Sequence, residues 1–302
     1  MQKAFPMLLS DFLTYYATNH ETGVRKSTIA CFFKPAISDL EKFLHHPADI
    51  SDLNRENINS WITTRQTESV LCTSTIKTRR NAILALWRSA FDCELTDARP
   101  EKLRKIRSVS LVVEAWTPEE IACLIKTICE SRDRKLPRVK LTQNLFLKSL
   151  ILAGWDTGLR LGDLLSLRAS DIRRSEGQGH LTIVQNKTLK VQSCIISRST
   201  LLLMDNLMSQ DETRELYWPL WCNVDQFYRT FKGFVRKSGI RPGTFRWIRR
   251  ASITTIEANR PGAGTLHAGH SDPRVTHAHY LDKSQLLGAI NCPPPLKIIE
   301  LP

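Results

Sequence analysis

No apolar run in the 302-residue chain approaches the roughly 20 residues that cross a bilayer, and the stretch Met-Gln-Lys-Ala-Phe-Pro at the start is too short in apolar residues for an export signal. The expected setting is therefore the cytoplasm, with no membrane partner. Cys-x-x-Cys pairs are missing. The eight cysteines, Cys31, Cys72, Cys93, Cys123, Cys129, Cys194, Cys222 and Cys292, are scattered, several inside apolar helical patterns, so reduced and buried thiols are expected. Internal repeats are absent, and Pro293-Pro294-Pro295 is the one low-complexity feature.

Acid is missing where base is dense. From Gln226 to Ile256 there is no Asp or Glu, against Arg229, Lys232, Arg236, Lys237, Arg241, Arg246, Arg249 and Arg250. Between Glu68 and Asp92 there is again none, while Lys77, Arg79, Arg80 and Arg88 stand among Ile76, Ile83, Leu84, Leu86 and Trp87. With 43 Lys and Arg against 30 Asp and Glu, the formal charge is +13. Clustered cations of this kind call for a polyanion, nucleic acid ahead of an anionic membrane surface. The second stretch reads as a helix with one apolar face and one basic face, for which phosphate contact through Lys77, Arg79, Arg80 and Arg88 competes with an ordinary solvated face.

What is present supports packed cores: 42% of residues are hydrophobic, and at about 150 residues per domain the length suggests two. Up to about Arg107 the periodicity is helical. One stripe runs through Leu8, Leu9, Phe12, Leu13 and Tyr16; the next runs from Ile29 to Leu44 with a bend at Pro35. A third helix is capped by Asn54 and buries Ile58, Trp61 and Ile62; the basic helix is the fourth. Pro100 to Arg107 reads as a basic linker, with the boundary near Ser108 to Glu114, so the domains are expected at 1–110 and 111–302.

Thr117-Pro118-Glu119-Glu120 then opens a new helix with a capping box. A strongly apolar helix from Leu145 ends at Asp156-Thr157-Gly158, and Leu159 to Leu167 restarts one with Arg160 at its beginning. Two alternating stretches, from His180 and from Val191, form a hairpin through Asn186-Lys187-Thr188-Leu189-Lys190. Helices follow near Leu201, Val224 and Trp247, and a last short helix is expected to carry Tyr280 and Leu281.

Taken in order, these motifs resemble the tyrosine recombinase (phage integrase) family: Thr157-Gly158-Leu159-Arg160, a hairpin lysine, the box Arg246-Trp247-Ile248-Arg249-Arg250, the pair Gly269-His270, and Tyr280 ten residues later. The resemblance covers Thr117 to about Asp282, and the first domain matches only the general pattern of a four-helix module. It implies a mainly α fold with a small β-sheet, an N-terminal four-helix core-binding domain and a C-terminal catalytic domain, together a clamp on duplex DNA. It also implies a site-specific recombinase or integrase that cuts and rejoins DNA through a 3'-phosphotyrosyl intermediate, needing no metal or nucleotide, and working as a homo-tetramer on paired sites.

Residue by residue, the resemblance implies Arg160 and Arg249 as phosphate clamps, Lys187 as the acid that protonates the leaving 5'-oxygen, His270 as a phosphate contact and Tyr280 as the nucleophile, with Asp163 orienting Arg160. One position departs from the pattern. Where the family places His three residues before the second arginine, this chain has Arg246, which binds phosphate but cannot exchange a proton near neutrality. The alternative is a catalytically impaired recombinase-fold DNA-binding protein. Plainer readings of single residues stay open: Arg160 as a helix-start residue paired with Asp163, Lys190 as the relevant hairpin lysine, His270 as a cap, Tyr280 as core. A zinc site from His267, His270, His277 and His279 and base stacking by Phe227, Tyr228, Phe231, Phe234, Phe245 and Trp247 are the rival constellations.

Overall fold

The computed structural model describes residues 7–20, 23–107, 112–137, 139–211, 214–220 and 222–287. Its contacts divide the chain into two compact units, Met1–Ser110 and Leu111–Pro302.

The first unit is helical. Helix α1 (Leu9–Asn19) buries Leu9, Phe12 and Leu13. A continuous helical stretch follows: α2 (Lys26–Thr28), a π-turn (Ile29–Phe33) and α3 (Lys34–Leu44). The irregularity expected at Pro35 therefore falls one turn earlier. Proline's ring clashes with the carbonyl four residues back, and the widened turn, in which Lys34 N–H reaches Ile29 O, makes room for it. Helix α4 (Arg55–Glu68) starts where Asn54 accepts from Asn57 N–H at 2.9 Å, and α5 (Thr73–Asp92) lays Ile76, Ile83, Leu86 and Trp87 into the core. Inside this unit Asp39, 7% exposed, takes Arg65 and Arg79 at 3.0 Å each and Trp61 Nε1 at 3.2 Å. The segment expected to be a linker is docked. Ile106 is buried, and Arg104 gives its N–H to Asn59 and its guanidinium to Thr63, both at 2.8 Å; a single anchor is too short for a periodicity to reveal.

The second unit packs helices against one face of a three-stranded sheet. Helix α6 (Pro118–Glu130) carries the capping box, with Thr117 N–H to Glu120 at 2.8 Å. Helix α7 (Gln143–Thr157) is buried almost all round and packs on α6, on a later strand and on three later helices. It stops at Gly158, whose φ of +59° suits glycine and where a Cβ would meet His267 at 2.7 Å. After α8 (Leu161–Leu165) come β1 (Ile172–Ser175), β2 (Gln178–Val184) and β3 (Val191–Ile196), antiparallel in that order. In register, Leu181 faces Cys194 and Val184 faces Val191. β1 was not expected. Ile-Arg-Arg-Ser buries only Ile172, as an edge strand can, and Glu176-Gly177, both at positive φ, turn the chain tightly into β2.

Helices α9 (Arg198–Ser209), α10 (Val224–Ser238), α11 (Arg246–Asn259), α12 (Ala263–His267), α13 (Pro273–His279) and α14 (Lys283–Leu287) complete the unit. Trp116, Phe146, Trp218, Phe227, Phe231 and Phe245 fill its core, so Phe227, Phe231 and Phe245 are not free to stack on bases. Two expectations are corrected. Tyr280 is not inside a helix: it terminates α13, with φ −127° and ψ −28°. The cysteines are mostly not buried either: among the described residues Cys31, Cys72, Cys93, Cys123 and Cys129 are exposed, Cys222 is intermediate and Cys194 is buried; Cys31, Cys123 and Cys129 lie on the outer sides of helical segments and Cys72 and Cys93 flank α5. Cys292 and the proline triplet lie outside the described residues.

Candidate functional site

The second unit brings Arg160, Lys187, Arg246 and Tyr280 to the walls of two adjoining clefts of about 310 Å³ each; Arg249 lines one and His270 the other. They arrive on separate elements, except that Arg246 and Arg249 share α11. Arg160 sits in the N-cap position of α8, where Gly158 has just reversed the chain. Its Nη1 donates to Gln185 Oε1 at 2.6 Å and lies 3.8 Å from Asp163. Asp163, 2% exposed, accepts the Asn186 N–H at 2.8 Å, so one carboxylate holds both the arginine and the start of the hairpin loop.

That loop is closed by Gln185 N–H to Lys190 O at 2.8 Å and by Leu189 N–H to Gln185 O at 2.9 Å. Lys187 at its tip makes no ion pair among the described residues and lines both clefts. Lys190, the competing lysine, donates to Ser271 Oγ at 2.6 Å and ties the hairpin to the loop that carries His270.

Helix α11 supplies two arginines one turn apart. Arg249 is 2% exposed, and its guanidinium spans Gly158 O, Ala268 O at 2.9 Å and His270 Nε2 at 3.2 Å. Burial lowers its pKa to about 10, with Arg160 adding repulsion. Arg246 is exposed at the helix start, its charge 5.5 Å from the centre of the Tyr280 ring; that of Arg249 is 4.9 Å away.

His270 packs its ring 4.7 Å from that of Tyr280 and shares Nδ1 with Thr276 Oγ1 at 2.9 Å. Because a guanidinium only donates, Nε2 accepts from Arg249, which leaves the proton of the neutral ring on Nδ1. Burial first, then Arg249, Arg160 and His279, lower its pKa to about 4. At neutral pH it is therefore an acceptor facing the cleft. Tyr280 is 7% exposed. Burial pushes its phenol up, but Arg249, Arg160 and Arg246 together outweigh burial and leave it below the ordinary tyrosine value. Thr254 accepts the Asp282 N–H at 3.1 Å, and Asp282 in turn accepts the Ala115 N–H at 3.0 Å, which fixes the turn behind the phenol.

The arrangement is a cation-lined cleft with a phenol, a neutral imidazole and a primary amine around it. His267 is separate: it meets Ser252 Oγ at 2.7 Å, and burial lowers its pKa to about 4. Among the described residues, no group of three His, Cys, Asp or Glu is placed to hold a metal ion. Gln185, Gln192, Thr276 and Ser271 went unnoticed in the sequence. A signal existed for two of them, because Gln192 on β3 and Gln185 just past β2 fall on the inward phase of the alternation, where apolar residues are expected.

The basic residues of α5 do not form one surface. Lys77 and Arg88 are exposed, Arg80 donates to Asn81 and to Arg104 O, and Arg79 turns the other way to the buried Asp39. The acid opposing Arg79 comes from α3, which is why no count along α5 reveals it.

No family model matches the chain, and no curated protein does. Solved structures do. A lambda integrase dimer bound to a COC' core site is 17% identical, with 93% of this chain and 79% of that chain covered and a TM-score of 0.69. XerH site-specific recombinase bound to palindromic difH substrate, in a post-cleavage complex, is 17% identical over 87% and 78%, TM-score 0.65. The Tn1549 transposon integrase, residues 82–397 with circular intermediate DNA, is 12% identical over 90% and 95%, TM-score 0.64. These neighbours are tyrosine recombinases, and the chain has their fold: mainly helical with a small three-stranded sheet. No helix among the described residues is long and apolar enough to cross a membrane.

Proposed function

We propose that this chain is a site-specific recombinase or integrase that cleaves and rejoins duplex DNA through a 3'-phosphotyrosyl intermediate. The observation that carries the reading is the convergence of three guanidinium groups on one buried phenol whose pKa they depress. The fold shared with DNA-bound recombinases supports it.

In this mechanism Arg160 and Arg249 hold the non-bridging oxygens of the scissile phosphate and stabilise the charge that builds on them. Arg246 adds a third cation. The Tyr280 phenol gives up its proton to solvent under the field of the three guanidinium groups, its oxygen attacks phosphorus with His270 beside the phosphate, the bond to the 5'-oxygen breaks and Lys187 protonates that oxygen. Attack by a 5'-hydroxyl on the phosphotyrosine reverses the sequence. Exchange between two duplexes cuts four strands, and each chain carries one Tyr280, so a homo-tetramer on paired sites follows from the stoichiometry. Asp163 orients Arg160, and Lys77, Arg80 and Arg88 contact the backbone of the duplex; Arg79, paired with Asp39, supports the helix that bears them.

Arg246 in place of histidine favours a second reading, a binding protein that no longer cuts. Nicked suicide duplexes built from the DNA flanking the gene separate the two. A detergent-resistant adduct with the wild-type chain that vanishes in Tyr280→Phe is the expected result; retarded DNA with no adduct identifies the binder, and an adduct that survives Tyr280→Phe rejects Tyr280 as nucleophile.

A further inference from the structure

Gln185 directly follows β2 with its side chain fully buried, and it touches three parts of the site at once. Its Oε1 accepts from Arg160 Nη1 at 2.6 Å and from Thr188 Oγ1, next to Lys187, at 2.7 Å. Its Nε2 donates to Gln192 Oε1 and lies 3.5 Å from Ala268 O. Gln192, 3% exposed on β3, passes the connection on by donating to His267 O at 2.6 Å. The amide can be oriented only one way, since a guanidinium offers no acceptor and the carbonyls offer no donor. Gly269 is fitted to this pair: its φ is +64°, and a Cβ there would overlap Gln185 Nε2 and lie 2.7 Å from Gln192 Oε1.

Two buried amides on the inner face of a sheet are costly without a purpose, because each polar atom must find a partner away from water. Here the partners are the arginine, the lysine-bearing loop and the loop that ends in His270. We propose that Gln185 is a positioning residue: through its carbonyl it sets the Arg160 guanidinium toward the anion and holds the Lys187 loop in the same register. The assignment rests on the phosphate-handling reading of the site.

The probe is inorganic orthovanadate, titrated calorimetrically into the full chain, with melting curves for every variant. Arg160→Ala weakens binding at least about tenfold, and Gln185→Met, which fills the same space but offers no acceptor, weakens it by about tenfold as well. Gln192→Met breaks the same amide–amide bond yet leaves the Arg160 contact, and stays within about twofold of wild type. The double variant Arg160→Ala, Gln185→Met binds less weakly than the two single losses added together, because much of the Gln185 effect passes through Arg160.

Equal losses in Gln185→Met and Gln192→Met, or additive losses in the double variant, reduce Gln185 to a packing role and overturn the proposal. If Arg160→Ala weakens vanadate binding and Gln185→Met does not, the assignment of Gln185 alone falls. If the wild-type chain binds no vanadate, or Arg160→Ala has no effect, the phosphate reading fails and takes this one with it. A measurement without any change at 185 covers a variant that does not fold: side-chain nitrogen NMR of the wild-type chain should show slow rotation of the Arg160 guanidinium, and freely averaged signals overturn the proposal.

Discussion

Two glycines make a controlled experiment on the loop that carries His270. Gly262 has φ +86° and open space where a methyl would go, with nothing within 4 Å; Gly269 has φ +64°, and a methyl there would overlap Gln185 Nε2 and stand 2.7 Å from Gln192 Oε1. Alanine at either position pays for left-handed backbone, about 1–2 kcal/mol. Only at 269 must the methyl also push apart a buried, hydrogen-bonded amide pair, and overpacking of this kind costs about 1–3 kcal/mol more. A difference near 2 kcal/mol between the variants corresponds to about 4–8 °C in melting temperature for a unit of this size. Urea unfolding and thermal melting read the stability, and adduct formation on a suicide duplex reads the site. Gly262→Ala should keep adduct formation close to wild type, whereas Gly269→Ala, by displacing the amide that Arg160 leans on, should slow it well beyond its effect on stability. Equal destabilisation in the two variants, or a Gly269→Ala chain that cleaves normally, would refute the close packing on which the argument depends.

Other expectations are as direct. Thr276→Val removes the partner of His270 Nδ1; loss of one hydrogen bond should slow adduct formation about fivefold to tenfold with little change in melting. His267 and His270 have folded pKa values of about 4, below the unfolded 6.5. A histidine depressed in the folded state contributes stability above its unfolded pKa, so the urea midpoint should fall as pH drops from about 6.5 toward 4, and His267→Gln should flatten that slope. Lys187→Ala should block cleavage of an ordinary duplex, and replacing the leaving 5'-oxygen with sulfur, which departs without a proton, should restore it; no restoration would remove Lys187 from the acid role.

Much of the architecture was legible because local chemistry writes it. Asn54 and Thr117 cap their helices with side-chain acceptors, Gly158 ends α7 because it alone takes the left-handed turn cheaply, and the alternation after His180 marks the hairpin. The order of Arg160, Lys187, Arg249, His270 and Tyr280 could likewise be read from the chain, since each sits in a short motif. What the sequence by itself determined was therefore which elements form and which residue types are candidates. Only the tertiary structure decided their states. That Tyr280 is depressed, His270 neutral and Arg249 buried depends on charges and walls supplied by segments up to 120 residues away in sequence, from Arg160 to Tyr280. The same holds for Arg79, whose partner Asp39 lies on another helix, and for Gln185, whose polar side chain makes sense only once the sheet has folded it against Arg160. Burial and electrostatics are sums over neighbours in space, and no window along the chain contains them.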